Sequence, residues 1–124
     1  MIIFGHPWVK SPNFYKVETI KDIQSTPPNS ILWLSPLCYS IDIAKYCQKN
    51  LVPFAIDIDS IKDSIFANIL GAKYIICSTT LAKEIMPIAQ NYLFDTQVLA
   101  TILKESEIED MAKFGVDGVI LKKL

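Results

Sequence analysis

The sequence predicts an α/β domain with a mostly parallel sheet of five or six strands and helices on both faces, arranged in three layers. Short apolar runs recur along the chain, and helix-like periodicity fills the intervals between them. Near-continuous apolar runs are typical of parallel strands that are covered on both faces. Hydrophobic residues make up 51% of the chain and charged residues 20%. A chain of 124 residues has the size of one domain, so we expect residues 1–124 to form a single unit.

The strands are predicted from runs rich in Ile, Val, Leu and aromatic residues. These runs lie at 1–4, 31–34, 53–57, 73–77, 97–102 and 118–121. Residues 14–18 (FYKVE) alternate between apolar and polar side chains, a pattern that fits either an edge strand or a loop.

The helices are predicted between these runs, at 19–25, 40–50, 61–70, 80–93 and 106–114. In the third of them, Ile61, Ile65 and Ile69 recur at every fourth position and form one apolar stripe. Pro87 lies inside the fourth pattern. We expect it to kink or split that helix, because proline removes a backbone donor and crowds the preceding turn. Gly115 is predicted to end the last helix.

Hydroxyl and carboxylate side chains near the helix starts predict N-caps, which satisfy backbone N–H groups of the first turn. The predicted caps are Thr19 with Asp22, Ser40, Ser60 with Asp63, one of Ser78, Thr79 and Thr80, and Ser106 with Glu109. Hydroxyls at strand ends are therefore explained by helix capping before any ligand is invoked.

The composition disfavours several classes of function. All twelve basic residues are lysine, the net charge is −1, and the lysines do not cluster. Nucleic-acid binding is disfavoured because no basic face can follow a phosphate backbone and no guanidinium can read a base. No apolar run is long enough to cross a bilayer, and MIIFGHPW lacks the basic flank and long apolar core of a secretory signal. We expect a cytoplasmic protein.

The residues that bind soft metals are too few for a zinc site of the usual type. Cys38, Cys47 and Cys77 form no CxxC pair, and His6 is the single histidine of the chain. Cys47 is expected on a helix and Cys77 in a buried strand. Cys38, in the expected loop SPLCYS, is the one cysteine placed like a nucleophile.

Candidate ligand contacts follow the predicted strands, because open parallel sheets bind ligands beyond the carboxyl ends of their strands. Ser78 and Thr79 come after one strand, and His6 follows the first. The loop GHPWVKSPNF (5–14) combines His6 with Trp8 and two prolines. We expect His6 to contact a ligand or partner and Trp8 to anchor an interface if it is exposed.

Asp57 and Asp59 are the least ordinary pair. Alternate residues of a strand point to one face, so both carboxylates could converge on one spot and hold Mg²⁺ or carry out acid–base chemistry. The other interpretation is that they are solvated or help to begin the next helix. Both interpretations stay open at the level of sequence.

The last part of the chain, with Thr101, GVDG at 115–118 and Lys122, resembles the closing strand–helix–strand of response-regulator receiver domains. It is equally similar to units of phosphate-binding (β/α)₈ barrels. The receiver resemblance implies that Asp57 takes the place of the phosphoacceptor, but MIIFGHPW lacks the acidic pair of a receiver. We expect the chain to be too short for a barrel unless two copies combine. No dinucleotide fingerprint, P-loop or G-x-S-x-G elbow is present.

Taken together, these patterns predict a non-catalytic module that binds a partner or a small ligand, as a homodimer and without a cofactor. The homodimer is expected because the last predicted strand has no helix after it to cover the sheet. The alternative is a small enzyme that uses Asp57 and Asp59 with Mg²⁺ and His6. A degenerate receiver-like signalling domain is the third hypothesis.

Overall fold

The structure is a computed structural model that describes residues 1–122. Within these residues it contains seven strands and five helices. The strands are β1 Ile2–Phe4, β2 Asn13–Val17, β3 Ser30–Leu34, β4 Phe54–Asp57, β5 Tyr74–Cys77, β6 Gln97–Ile102 and β7 Gly118–Leu121. The helices are α1 Ile20–Gln24, α2 Leu37–Lys49, α3 Ile61–Ile69, α4 Thr79–Asn91 and α5 Ser106–Lys113.

All seven strands form one parallel sheet in the order β1-β7-β6-β5-β4-β3-β2. The predicted α/β class and parallel sheet are confirmed, with seven strands rather than five or six. The alternating run near residue 14 is an edge strand, β2, and not a loop. From β2 to β7, strands that follow one another in the chain are neighbours in the sheet, whereas β1 pairs with β7, so that Ile2 lies opposite Gly118.

The sheet is curled, and each face has its own core. One core joins outward-facing strand residues such as Leu34, Ile56 and Ile75 with side chains from all five helices. The other contains strand residues alone, among them Phe4, Tyr74 and Leu99. The curl brings the two edge strands together, because the rings of Phe4 on β1 and Phe14 on β2 lie 4.9 Å apart. The helices therefore cover the convex face, and the concave face, for which helices were also predicted, is filled by side chains of the strands themselves.

This topology differs from that of the two families that the last residues resemble. Receiver domains have the strand order 2-1-3-4-5, whereas this sheet is sequential from β2 to β7. A (β/α)₈ barrel is also sequential but has eight strands and closes by hydrogen bonds. Within residues 1–122, seven strands of three to six residues are paired, and β1 and β2 meet through side chains.

Gly118 allows β7 to fit between its neighbours. A Cβ atom at this position would lie 2.7 Å from the backbone oxygen of Ile2 and 2.7 Å from Cδ2 of Leu99. Both distances are shorter than van der Waals contact, so a side chain here would push β1 away from β7.

Two of the predicted caps are wrong, and so is the predicted start of α2. Helix α2 begins at Leu37 after Pro36, and Ser40 lies within it, donating from Oγ to the carbonyl oxygen of Ser35 at 2.6 Å. Cys38 therefore lies on a helix and not in a loop. Helix α5 has no side-chain cap from Ser106, which is already its first helical residue. The carboxylate of Glu107 instead accepts from the backbone N–H groups of Leu103 and Lys104.

The other predicted caps are present, at the starts of α1, α3 and α4. Thr19 forms a full capping box with Asp22, Ser60 accepts from the N–H of Asp63, and Ser78 accepts from the N–H of Leu81. Helix α4 is not split at Pro87 but runs on to Asn91.

Four helices end with the same geometry. After each of them one residue has a positive φ, and the N–H of the following residue bonds back into the last turn of the helix. The four residues are Leu51 (φ 57°), Gly71 (82°), Leu93 (54°) and Gly115 (72°). The predicted role of Gly115 is confirmed, whereas two of the four positions are occupied by leucine.

No helix within residues 1–122 is both long enough and apolar enough to span a membrane.

Candidate functional site

Two groups of polar side chains lie where strands of the sheet end. The first, the concave cluster, consists of Lys16 on β2, Trp33 on β3 and Asp57 on β4. The second consists of His6 and Trp8 after β1 and Glu105 after β6. The two groups lie on opposite sides of the sheet.

The concave cluster is held by the register of three neighbouring strands. Lys16 lies opposite Trp33, and Trp33 lies opposite Ala55, two residues before Asp57. The indole Nε1 of Trp33 donates to Oδ1 of Asp57 at 2.7 Å, and the ammonium of Lys16 lies 3.6 Å from Oδ2 of the same carboxylate. That ammonium is also 5.3 Å from the centre of the Trp33 ring. Both oxygens of Asp57 therefore have a partner within the protein.

Asp59 has a different environment from Asp57. It lies beyond the end of β4 and is exposed, whereas Ile58 between them is buried. The side chain of Asp59 makes no hydrogen bond or ion pair with residues 1–122. In the same part of the chain, no three His, Cys, Asp or Glu side chains gather to hold a metal ion.

His6 connects the loop after β1 to the loop after β6. Its Nδ1 accepts the backbone N–H of Trp8 at 3.1 Å, and its Nε2 lies in hydrogen-bonding contact with Oε1 of Glu105. The Trp8 ring stands edge-on to the imidazole, with 5.2 Å between the ring centres. Only 9% of the His6 side chain is exposed, so a polar group is nearly buried here and both of its nitrogens are engaged.

A cavity of about 380 Å³, which we call the β1 cavity, lies beside this histidine. Its apolar wall comes from Ile3, Val9 and Ile108, and its polar wall includes His6 and Glu105. Ile3 packs against the helix-covered core, so the cavity lies on the convex face of β1. The chain passes from β1 to β2 through residues 5–12 without a helix. The cavity thus occupies the place where the other connections of the sheet put a helix.

The predicted site residues are therefore distributed over different places. His6 and Trp8 come together at the β1 cavity, and Asp57 belongs to the concave cluster. Asp59 is solvated, Ser78 caps α4, and Thr79 is the first residue of that helix. The structure thus supports helix capping as the role of Ser78. The β1 cavity is lined by none of the residues Asp57, Asp59, Ser78 and Thr79.

Lys16 and Trp33 of the concave cluster were not predicted from the sequence as site residues. Glu105 carried a usable signal, because it follows a strand at the edge where His6 also lies. Lys16 and Trp33 carried no such signal in the sequence. Their contact with Asp57 depends on the strand order β2-β3-β4, which cannot be predicted from hydrophobic periodicity.

The cysteines offer no nucleophile next to a base. Burial raises the pKa of the Cys47 thiol to about 11 and that of the Cys77 thiol to about 12, so both stay protonated at neutral pH. Cys38 is exposed on α2, while the one histidine is engaged with Glu105.

Comparison with known proteins adds no relative: no protein-family model matches the chain, and neither does any curated protein.

Proposed function

We propose that the protein is a non-catalytic module that binds a small ligand in the β1 cavity. The observation that carries the proposal is the cavity itself, with an apolar wall and a nearly buried imidazole that is bound to an exposed carboxylate. Small-molecule sites are typically of about 300–1,000 Å³ and combine apolar walls with a few placed polar groups. The volume of about 380 Å³ lies at the small end of that range.

A binding role fits these groups better than catalysis does. A general base needs a free lone pair within reach of the substrate. Nδ1 of His6 already accepts the Trp8 N–H, and Nε2 is bound to Glu105. The Asp57 carboxylate is likewise engaged by Trp33 and Lys16. The bonds of His6 hold it in the wall of the cavity and leave neither of its nitrogens free for proton transfer.

The test is a screen of small fragments against the ¹⁵N-labelled protein, observed through backbone amide shifts. We expect hits to shift the amides of Ile3, Val9 and Ile108. Ile108→Glu, which places a charge on the apolar wall, should abolish those shifts, whereas Tyr39→Glu on α2 should leave them unchanged. Hits that shift only residues outside the cavity would contradict the proposal.

We also propose that two copies associate through the outer surfaces of α2 and α3, which we call the α2–α3 face. Ile41, Phe66 and Ile69 are 39%, 51% and 64% exposed there and border a groove of about 510 Å³. Lys45, Lys62 and Asp63 line the same groove. In a two-fold symmetric dimer one patch meets its own copy. A patch with an apolar centre and both signs of charge can therefore satisfy itself, which favours a second copy as the occupant.

Sedimentation equilibrium tests this assembly. We expect a dimer for the unchanged protein and a monomer for Phe66→Glu, because burying a carboxylate in place of an aromatic ring at the centre of the patch is costly even beside a lysine. Tyr39→Glu is the matched control, since Tyr39 is 80% exposed on α2 and does not line the groove. A monomer at every concentration for the unchanged protein would refute the dimer.

A further inference from the structure

We propose that the ligand of the β1 cavity is an organic cation, an alkylammonium group whose apolar body lies against Ile3, Val9 and Ile108. This inference rests on the proposed function of the cavity. Three properties of the lining lead to it: its charge, its exposed aromatic ring and its apolar wall.

The charge of the lining is negative. Glu105 and Glu109 both border the cavity, and no lysine is among the described residues that line it. His6 presents its Nδ1 as an acceptor to Trp8, so its proton lies on Nε2, towards Glu105. Glu109 has one neighbouring cation, Lys113, one helical turn away at 3.6 Å. That pair is largely exposed and therefore weak, so the carboxylate stays free to attract a cation.

Trp8 adds a second kind of cation contact. Its side chain borders the cavity and is 89% exposed. The ring lies at 70° to the imidazole of His6, and most of its surface is open to a ligand because the side chain is so exposed. The face of an indole attracts ammonium groups within about 6 Å of its centre. An anionic ligand would meet two carboxylates and the negative face of this ring, and would be repelled.

The apolar wall sets the rest of the ligand. Ile3 on β1, Val9 in the loop and Ile108 on α5 form one continuous side of the cavity. A hydrated metal ion or an inorganic ammonium would leave these side chains unused, whereas an alkyl chain would remove them from water. The combination fits a primary or quaternary amine that carries a short hydrocarbon body.

The experiment compares three probes of equal chain length: n-hexylamine, which is protonated at pH 7, 1-hexanol and hexanoate. Each is titrated against the ¹⁵N-labelled protein, and affinity is read from the amides of Ile3, Val9 and Ile108. We expect the amine to bind about tenfold more tightly than the alcohol, and hexanoate to bind more weakly than either.

Four variants attribute that preference to the named side chains. Glu105→Gln and Glu109→Gln keep the shape of the wall and should each reduce the preference for the amine by about threefold. Trp8→Leu keeps apolar area but removes the ring face, and should reduce it similarly. Glu84→Gln, an exposed carboxylate on α4 that does not line the cavity, should leave it unchanged. Because Glu105→Gln also alters the bond to His6, the amide spectrum of each variant is first checked for an intact fold.

The outcomes separate this inference from the proposed function. If none of the probes shifts the cavity amides, the proposed function itself fails. If the alcohol or hexanoate binds as tightly as the amine, the cavity is a ligand site but the inferred class of ligand is wrong. The inferred class is also wrong if Glu105→Gln and Glu109→Gln both leave the preference unchanged.

Discussion

Asp57 and Asp59, one residue apart in the sequence, have different tasks in the structure. The carboxylate of Asp57 joins three strands, because it accepts from the Trp33 indole and faces the Lys16 ammonium. The carboxylate of Asp59 is exposed beyond the strand end. The sequence suggested that the two carboxylates converge, because alternate residues of a strand point to the same face. This would require the strand to continue through Asp59, but β4 ends at Asp57.

This difference predicts unequal effects of substitution. Asp57→Ala should lower the free energy of unfolding by about 1–3 kcal/mol, because it leaves a half-buried indole N–H without an acceptor. Asp59→Ala should change it by no more than about 0.5 kcal/mol, as is usual for an exposed side chain without partners. Urea unfolding measures both values, and repeating it with Mg²⁺ tests the metal hypothesis. A shift of the midpoint by Mg²⁺ that disappears in both variants would restore the carboxylate pair as a metal site.

At the scale of elements, the strands were predicted well and the helix caps less well. The runs at 97–102 and 118–121 match β6 and β7 residue for residue, because a buried parallel strand is apolar along its whole length. Helix starts depend on which of several neighbouring polar groups forms the cap. Near α5 both Ser106 and Glu107 were available, and backbone geometry selects Glu107. Near α2, Pro36 precedes the helix and replaces the expected cap at Ser40.

The helix ends carry a prediction about stability. Leu51 and Leu93 have positive φ angles at positions where α3 and α5 use glycine. The left-handed conformation costs a residue with a Cβ atom about 1–2 kcal/mol, and glycine recovers most of this at some loss of chain entropy. Both leucines are more than four-fifths exposed, so little packing would be lost. Leu51→Gly and Leu93→Gly should therefore each raise the free energy of unfolding by about 0.5–1 kcal/mol.

Gly71→Ala is the matched control for these two variants. The space around Gly71 is open, since a Cβ there would have its nearest neighbour at 3.9 Å, in the Gln48 side chain. Any loss of stability in Gly71→Ala would therefore arise from the positive φ angle and not from a steric clash. We expect the free energy of unfolding, measured in urea, to fall by about 1 kcal/mol. If Leu51→Gly and Leu93→Gly both destabilise the protein, their side chains make contacts that exceed the conformational cost.

At the scale of the whole molecule, the sequence predicted the class and not the curl. Apolar runs report that a strand is covered on both faces, whether by helices or by the opposite wall of a curled sheet. Ile76 and Leu99 look alike in sequence to Ile75 and Val98, yet the first two face the concave core and the last two the helices. Strand order separates these cases, and no local pattern encodes it. The β1 cavity was unpredictable for the same reason, since it depends on β1 lying beside β7.

The two buried thiols predict how the stability of the molecule changes in alkali. The pKa values of Cys47 and Cys77 are raised by burial to about 11 and 12, from the ordinary value of about 9. The unfolded chain therefore loses these protons first. The stabilising contribution of each thiol is complete below pH 9 and is lost as the pH rises towards its pKa in the folded protein. Between these limits stability should fall by about 1.4 kcal/mol per pH unit for each thiol.

Urea unfolding between pH 8 and pH 11 measures this decline. Cys47→Ala should give a shallower decline than the unchanged protein, whatever its stability at pH 8, because one of the two thiols is gone. Cys38→Ala is the control, since Cys38 is exposed, and it should leave the slope unchanged. If stability falls with pH at the same rate in all three proteins, groups other than these thiols cause the loss of stability in alkali.

The pairing of β1 with β7 has a consequence for the order in which the fold is assembled. During synthesis, β2 to β6 can pair one after another as they emerge, because each neighbour follows soon in the chain. The strand Ile2–Phe4 cannot, since its partner Gly118–Leu121 is translated more than a hundred residues later. Contacts between such distant segments form late and slowly. Until β7 arrives, β1 and the apolar flank of β6 have no partner, so nascent chains should be most prone to aggregate, and to recruit chaperones, just before β7 emerges.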